Sequence, residues 1–392
     1  MIEGRQAGQS SIAKLAGGMV GGGPGSFIGA VHRSAASFDG NAEYVAGAFS
    51  RSYEKSIKTG RQLGISEDRV YDDFEKMAKA ESARENGIDF VSIVVPNKFH
   101  YPVAKVFLEQ GINVICDKPL TFTVEQAEEL EELTEKEDLL FGVTYVYSGY
   151  PMVKHGREIV QRGDIGEIRV VQGEYPQEWL ARPVEKEGNK QAGWRTDPEF
   201  SGRSNCVGDI GSHIENTVSY VTGLRIKELS ANLDVFGEGR QLDDNAAMLL
   251  KFKGGATGSY WCSQVAIGHD NGLKIRVYGT KGSLIWKQED PDHLEVNYLG
   301  KPGTVLSRGR DELFSSAEET VRLPAGHPEG FYEAFANIYR NFLAALGEKK
   351  SGSDVDPEDF DYPSVHAGVQ GVKFINACVD SSESGSEWVK LD

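Results

Sequence analysis

The chain has 392 residues, of which 39% are hydrophobic and 26% are charged, so its composition is that of a globular protein with a large buried core. The 42 basic and 59 acidic residues give a net charge of −17, which argues against nucleic acid or an anionic membrane as the main partner. Four widely spaced cysteines without a CxxC pair indicate neither a disulfide framework nor a zinc ribbon, and we predict no metal site. No apolar run reaches about 18 residues and no export signal is visible, so we expect a cytoplasmic protein.

The first third of the chain alternates short apolar runs with helical patterns. The runs are LAGGMV before Gly21, EYVAGAF (43–49), DFVSIVV (89–95), INVIC (112–116) and LLFGVTYV (139–146). Continuous apolar runs are typical of strands that are buried on both faces, and their alternation with helices predicts a doubly wound parallel sheet. One of the predicted helices covers EDRVYDDFEKMAKA, with Val70, Phe74 and Met77 on one stripe.

The later part of the chain is rich in strands whose hydrophobic residues alternate, as in Leu273-Ile275-Val277. This pattern predicts a large, open and mostly antiparallel sheet with one covered face, and Lys253-Gly254-Gly255 predicts a hairpin turn within it. An amphipathic helix is predicted to begin near Glu329. We therefore predict an α/β protein with a flexible N-terminus (1–11), a dinucleotide-binding domain (12–148) and a C-terminal substrate and oligomerisation domain (149–392).

A glycine-rich turn, Gly21-Gly-Gly23-Pro-Gly25-Ser-Phe-Ile-Gly29, follows the first predicted strand and opens a helix. Glycines let a backbone approach a pyrophosphate closely, and the helix N-terminus supplies N–H donors. The predicted cofactor contacts in this turn are Gly21, Gly23, Ser26, Phe27, Ile28 and Gly29. The spacing is three residues longer than GxGxxG, and a glycine-rich turn without a ligand is the alternative.

The second predicted strand ends in Ser50 and Arg51, with Lys55 beyond, and no carboxylate stands there to bind a ribose 2′-hydroxyl. A hydroxyl and a cation at this position can accept a 2′-phosphate, so the sequence slightly favours NADP over NAD. The alternative is that Ser50 or Ser52 merely caps a helix.

Three further motifs stand at strand ends or open a helix: Pro96-Asn97 with His100, Asp117-Lys118-Pro119, and Gly208-Asp209-Ile-Gly211-Ser-His213. Together with the glycine turn, they resemble the Gfo/Idh/MocA family of NAD(P)-dependent oxidoreductases over nearly the whole chain. Asp117 replaces the glutamate that is commoner before the lysine in that family, and the glycine loop is longer than usual.

The resemblance implies an N-terminal Rossmann domain and a C-terminal α/β domain whose open sheet forms the interface of a homo-oligomer, either a dimer or a tetramer. It also implies a sugar, cyclitol or related substrate bound between the domains, over the nicotinamide. Pro96, Asn97, His100, Asp117 and Lys118 are then expected on the cofactor side, although Asn97 and His100 could simply cap the following helix.

Oxidation of a secondary alcohol requires a base for the hydroxyl proton and a positive charge beside the developing alkoxide. His213 is the predicted base because its unperturbed pKa lies near neutrality, and Lys118 is the predicted cation. Asp209 precedes His213 by four residues, a spacing that places both on one helix face, where the carboxylate would orient substrate or imidazole. The alternatives are a structural histidine and a solvated lysine.

A wall of aromatic and polar side chains is predicted around the substrate, formed by Tyr147, Trp179, Trp194 and Arg195 together with Asp209 and His213. Aromatic faces and polar forks suit a carbohydrate, and an ordinary loop with exposed aromatics is the alternative. The leading hypothesis is an NAD(P)-dependent dehydrogenase for a secondary alcohol of a sugar, cyclitol or glycoside, with ring C3 as one candidate position. An NAD-dependent glycosidase and a non-catalytic dinucleotide-binding regulator are the alternatives.

Overall fold

A computed structural model describes residues 14–391, so the predicted flexible segment 1–11 lies outside the described residues. Five strands form a parallel sheet in the order β2-β1-β3-β4-β5: β1 (Leu15–Gly21), β2 (Ala42–Ala48), β3 (Phe90–Val94), β4 (Asn113–Cys116) and β5 (Phe141–Val143). Strand β2 lies on one side of β1, and β3 to β5 lie on the other side. The order of the strands therefore reverses at β1, which creates a topological switch point at the carboxyl ends of β1 and β3.

Five helices accompany this sheet: α1 (Phe27–Ser37), α2 (Tyr53–Gln62), α3 (Phe74–Ser82), α4 (His100–Glu109) and α5 (Val124–Lys136). The helix predicted over residues 67–80 is shorter than expected. A 3₁₀ turn covers Glu67–Arg69, Val70 forms a bridge with Gly47, and α3 begins only after Asp73. The Asp73 carboxylate accepts from two backbone N–H groups of the first turn, which is why the helix begins there.

The second sheet has nine strands in the order β13-β12-β11-β10-β6-β9-β8-β7-β14. Its strands are β6 (Ile168–Pro176), β7 (Ile226–Asp234), β8 (Asn245–Phe252), β9 (Thr257–Ser263), β10 (Lys274–Gly279), β11 (Gly282–Lys287), β12 (His293–Tyr298), β13 (Thr304–Ser307) and β14 (Val389–Lys390). Every pairing is antiparallel except that of β6 with β9. The predicted hairpin turn joins β8 to β9, so the expected large and mostly antiparallel sheet is confirmed.

The remaining helices are α6 (Pro151–Gln161), α7 (Lys190–Arg195), α8 (Pro198–Ser201), α9 (Ser212–Thr222), α10 (Ser315–Glu318), α11 (Phe331–Lys350) and α12 (Val365–Glu383). Helices α6, α9 and α12 cover one face of the nine-stranded sheet, while the opposite face leaves Leu249 exposed. Helix α11 packs on α1 and places the rings of Tyr339 and Phe342 against Phe90 of β3, which ties the two sheets into one structure. Within residues 14–391, none of the helices combines the length and the hydrophobicity needed to cross a bilayer.

Candidate active site

The glycine turn between β1 and α1 lies at the switch point and brings backbone segments into close contact. Gly21 and Gly22 have φ values of +85° and +70°, which L side chains rarely adopt. A Cβ on Gly23 would lie 2.5 Å from the carbonyl oxygen of Phe49, and one on Gly29 would lie 2.4 Å from the Gly22 Cα. The turn therefore has no room for side chains at these positions, as a backbone cradle for a pyrophosphate requires.

Ser26 caps the N-terminus of helix α1, where its Oγ accepts from the Gly29 N–H at 3.2 Å. The other amides of the first turn have no acceptor within the helix, so they are available to an anion. The side chain of Phe27 is 66% exposed and stacks on Phe331, whereas that of Ile28 packs against the hydrophobic core. The predicted contribution of Ile28 is thus limited to its backbone N–H.

The end of β2 contains both a serine that caps the following helix and exposed cationic side chains, the two alternatives that the sequence offered. The Ser50 N–H donates to Ser56 Oγ at 2.9 Å, and Ser50 Oγ accepts from the Ser52 N–H. Ser52 caps α2 by accepting from the Lys55 N–H. The side chains of Arg51 and Lys55 are exposed, so cations stand beside a loop that is held by serine hydrogen bonds.

His100 connects the ends of β3 and β4. Its Nδ1 lies 2.7 Å from the carbonyl oxygen of Pro119 and its Nε2 lies 2.9 Å from that of Val95. The ring is 1% exposed, and burial lowers its pKa. Since both nitrogens face backbone carbonyls, the side chain fixes the loop that carries Lys118, and the expectation that His100 also lies on the cofactor side stays a prediction.

Asn97 and Asp117 are also held by the protein around them. Asn97 is buried, and its carbonyl accepts from the His100 N–H in the 3₁₀ turn that follows Pro96. The Asp117 carboxylate accepts from Thr144 Oγ1 at 2.9 Å and from the Lys118 N–H at 3.1 Å. These contacts order the chain around the end of β4, from which Lys118 projects. The peptide bond between Lys118 and Pro119 is cis.

Lys118 reaches from the first half of the chain to Asp209 in the second. Its Nζ donates to Asp209 Oδ1 at 2.9 Å and to the Asp209 carbonyl oxygen. Burial would raise the pKa of Asp209, but the positive charges of Lys118 and Arg195 hold that pKa well below its usual range. The carboxylate is therefore ionised, and two of the three ammonium N–H groups are occupied by Asp209.

Asp209 does not open an α-helix as the sequence suggests. A π-helical turn covers Val207–Gly211, and α9 begins at Ser212, so Asp209 and His213 do not stand at regular α-helical spacing. His213 is nine-tenths buried, and its Nδ1 has no hydrogen-bond partner among residues 14–391. Burial, with the charge of Lys118, lowers the pKa of His213 well below 6.5, so the imidazole is neutral at pH 7.

Three tyrosine rings pack against His213. The Tyr147 ring centroid lies 4.8 Å from that of His213, and Tyr145 and Tyr175 stand further out. The Tyr147 hydroxyl contacts that of Tyr175, which donates to Asn271 Oδ1 at 2.7 Å. Tyr147 is 2% exposed and its ring supports the imidazole, and the expectation that it also lines the substrate wall stays a prediction.

The other predicted wall residues lie between β6 and α9. The Arg195 guanidinium stacks on the Trp194 ring at 4.2 Å, and its Nε lies 3.3 Å from Asp209 Oδ2. Trp179 is half-buried in the turn after β6. Sequence reasoning missed Gln264, which donates to Asp209 Oδ2 at 3.0 Å. No local motif marks Gln264, because it lies 55 positions away in the chain.

Comparison with known proteins agrees with this geometry. Residues 16–145 match an oxidoreductase family with an NAD-binding Rossmann fold, and residues 153–285 match the GFO/IDH/MocA C-terminal domain. The chain belongs to the Gfo/Idh/MocA oxidoreductase family. The predicted resemblance and fold class are thereby confirmed, and the protein is an NAD-binding oxidoreductase.

Four similar proteins or complexes match this Gfo/Idh/MocA protein over nearly their whole length. The uncharacterized oxidoreductase YfiI of Bacillus subtilis (strain 168) is 36% identical over 376 residues, which cover 95% of this chain and 96% of that protein. An inositol dehydrogenase homolog from Azotobacter vinelandii, complexed with NAD+, superposes with a TM-score of 0.94 at 37% identity and covers 100% of both chains. Its complex with NADH and myo-inositol has a TM-score of 0.92 at 37% identity over 97% of this chain and 98% of that one. An oxidoreductase from Sinorhizobium meliloti is 46% identical, with a TM-score of 0.86 over 96% of this chain and 100% of that one.

Proposed function

We propose that this protein oxidises a secondary alcohol of a sugar, cyclitol or glycoside. The observation that carries the proposal is the Lys118–Asp209 contact, which joins the two halves of the chain beside a neutral His213. A cation and a base at one place are what removal of a proton from an alcohol requires. The myo-inositol present in the similar Azotobacter vinelandii structure supports a polyhydroxylated ring as substrate.

Each side chain then has a distinct role. His213 takes the hydroxyl proton, because its lowered pKa leaves the imidazole free to accept it. The third N–H of Lys118 donates to the alcohol oxygen and stabilises the negative charge that develops there. Asp209 orients the ammonium, and Trp194 and Arg195 contact the rest of the substrate. A nicotinamide cofactor held at the glycine turn between β1 and α1 would supply the hydride acceptor.

The cofactor at this site is proposed to be NAD. The similar structures contain NAD+ or NADH and do not support the slight preference for NADP predicted from Ser50 and Arg51. Comparison of kcat/KM with NAD+ and NADP+ tests this point. A higher value with NADP+ that Arg51→Ala abolishes would instead assign a 2′-phosphate site to the end of β2.

The outer face of the nine-stranded sheet is the proposed contact between copies of the chain. A groove of about 490 Å³ runs over it, between the exposed Leu249 and side chains such as Trp261 and Arg276. Sedimentation velocity tests the proposal: the unmodified protein is expected to be a dimer or a tetramer, and Leu249→Glu is expected to dissociate it. A monomeric unmodified protein would contradict this contact.

The experiment that tests the activity is a panel of inositols, sugars and glycosides, each incubated with NAD+ and read at the nicotinamide absorbance band. Substrate-dependent reduction of NAD+ supports the proposal. Release of free sugar without net reduction would identify a glycosidase. Binding of NADH without turnover of any polyol would identify a regulator.

A further inference from the structure

Two buried amide side chains form a chain of hydrogen bonds that ends at Asp209 Oδ2, whereas the Lys118 ammonium contacts Asp209 Oδ1. Gln264 Nε2 donates to Asp209 Oδ2 at 3.0 Å, and Gln264 Oε1 accepts from Asn205 Nδ2 at 2.7 Å. Asn205 Nδ2 also donates to the carbonyl oxygen of Asp243 at 3.1 Å. Gln264 is fully buried and Asn205 is 2% exposed, so water does not compete for these bonds.

The orientation of both amides follows from the groups at the two ends of the chain of bonds. A carboxylate and a backbone carbonyl can only accept, so Gln264 must turn its NH₂ toward Asp209 and Asn205 must turn its NH₂ toward Asp243. Rotating the Gln264 amide by half a turn would place oxygen against oxygen at Asp209 and NH₂ against NH₂ at Asn205. The direction of the Gln264 donor is thereby fixed.

Asp243 anchors the end of these hydrogen bonds that lies farthest from Asp209. Its carboxylate accepts from the backbone N–H groups of Asn205 and Val207, at 2.8 and 2.9 Å, and from Ser204 Oγ at 3.1 Å. Three donors to one buried carboxylate order the loop from which Asn205 projects. The amide pair is therefore anchored to the segment that leads into the π-helical turn.

Arg195 competes for the same carboxylate oxygen. Its Nε lies 3.3 Å from Asp209 Oδ2, and no residue among 14–391 accepts a hydrogen bond from that nitrogen. Without the Gln264 donor, the carboxylate is free to rotate toward the guanidinium, which would draw Oδ1 away from Lys118. We infer that Gln264, aligned by Asn205, is a positioning residue that keeps Asp209 turned toward the Lys118 ammonium, an inference that rests on the proposed function.

The first test replaces Gln264 with a side chain of similar length that cannot donate. Gln264→Met is expected to lower kcat for NAD+ reduction by about tenfold or more, because a buried group loses its partner, while KM and NADH affinity change little. The exposed Gln161→Met is the matched control and should match the unmodified enzyme. Asn205→Ala frees the Gln264 amide to rotate, so it should show the same loss confined to kcat, and it decides the question if Gln264→Met does not fold.

The second test uses pH to separate positioning from packing. Gln264→Glu places a second carboxyl beside Asp209. The titratable groups around this pair are Lys118, Arg195, His213, Tyr147, Tyr175 and Cys206, with Asp243 behind Asn205. When protonated, the introduced carboxyl can donate to Asp209 Oδ2 as the amide does. The ratio of its kcat to that of the unmodified enzyme should therefore rise as pH falls, whereas the ratio for Gln264→Met should stay flat.

A third readout does not depend on turnover. Crystal structures of the unmodified and Gln264→Met proteins with NAD+ should show Asp209 Oδ1 displaced from Lys118 Nζ in the variant only. An unchanged Lys118–Asp209 pair, or a kcat ratio for Gln264→Glu that does not vary with pH, would overturn the inference. Failure of the proposed function would instead show as an unmodified enzyme that reduces NAD+ with none of the polyols, whatever the variant structure shows.

Discussion

Lys118 Nζ lies 2.9 Å from Asp209 Oδ1, although 91 positions separate the two residues along the chain. Lys118 follows the fourth strand of the parallel sheet, and Asp209 stands in the π-helical turn that packs on the second sheet. Both side chains are less than one-fifth exposed, so solvent screens this ion pair weakly. The contact therefore joins the two halves of the molecule at the point where the proposed chemistry occurs.

Loss of the Lys118 ammonium should lower the rate of alcohol oxidation strongly and spare cofactor binding. Lys118→Met is expected to lower kcat/KM for alcohol oxidation by about 10²–10⁴-fold, because the alkoxide loses its cation and Asp209 loses its partner. Steady-state kinetics and NADH fluorescence titration measure the two effects. Lys76→Met, which breaks an exposed ion pair with Asp72, is the control and should leave both values unchanged. Full activity of Lys118→Met would refute the role given to the ammonium.

The pH dependence should identify His213 as the base. Its pKa lies well below 6.5 because of burial and the nearby Lys118, so the imidazole is neutral and competent above that pKa and protonated below it. The kcat/KM for oxidation is thus expected to fall as pH decreases through a value under 6.5, rather than near neutrality as the sequence alone suggests. In His213→Gln this acid limb should vanish along with most of the activity. The exposed His366→Gln is the control, and persistence of the limb in His213→Gln would assign it to another group.

Much of the architecture of this site could be predicted because its parts stand at strand ends. Parallel strands bring their carboxyl ends to one edge, so the glycine turn and Lys118 had to lie close together once the strands were identified. The reach of Lys118 to Asp209 depends on how the two sheets pack, and no spacing in the sequence encodes it. The contacts of His100 and Tyr147 could not be predicted for the same reason, since only the packed structure shows which carbonyls and rings surround them.

Other features were invisible because they depend on contacts that are distant in sequence. Gln264 is an ordinary glutamine at the end of a strand until the fold places it beside Asp209. Val70 has the spacing of a helical residue, but its bridge to Gly47 and the Asp73 cap favour a later helix start. The π-helical turn at Asp209 likewise follows from tertiary packing and not from propensity.

The cofactor turn should not tolerate a side chain at Gly29. The added Cβ of Gly29→Ala would meet the Gly22 Cα at 2.4 Å, so the turn must move and the first amides of α1 lose their alignment. NADH affinity, measured by fluorescence titration, is expected to weaken by about tenfold or more. Gly347→Ala, in α11 with open space around it, is the control and should leave NADH affinity unchanged. Undiminished NADH binding by Gly29→Ala would place the pyrophosphate elsewhere.

Glu215 should make the fold less stable as pH rises. This carboxyl lies on α9 and is 8% exposed, and burial raises its pKa from 4.5 to about 7, with partial opposition from the charge of Arg225. Between those two values the folded protein holds a proton that the unfolded chain has released, so the free energy of unfolding falls with rising pH, by on the order of 1 kcal/mol per pH unit. Below pH 4.5 both states are protonated and the effect disappears.

Glu215→Gln removes this titration while it keeps the shape of the side chain. Urea unfolding at pH 5 and pH 8 is expected to show the variant gaining stability relative to the unmodified protein as pH increases. Taking the difference between the two proteins cancels the contributions of the other titrating groups. The exposed Glu85→Gln is the matched control and should give a difference that does not depend on pH. If the stability difference for Glu215→Gln is equally independent of pH, the carboxyl ionises in the folded protein as it does in the unfolded chain. Water or a rearranged cation would then reach the Glu215 side chain on α9.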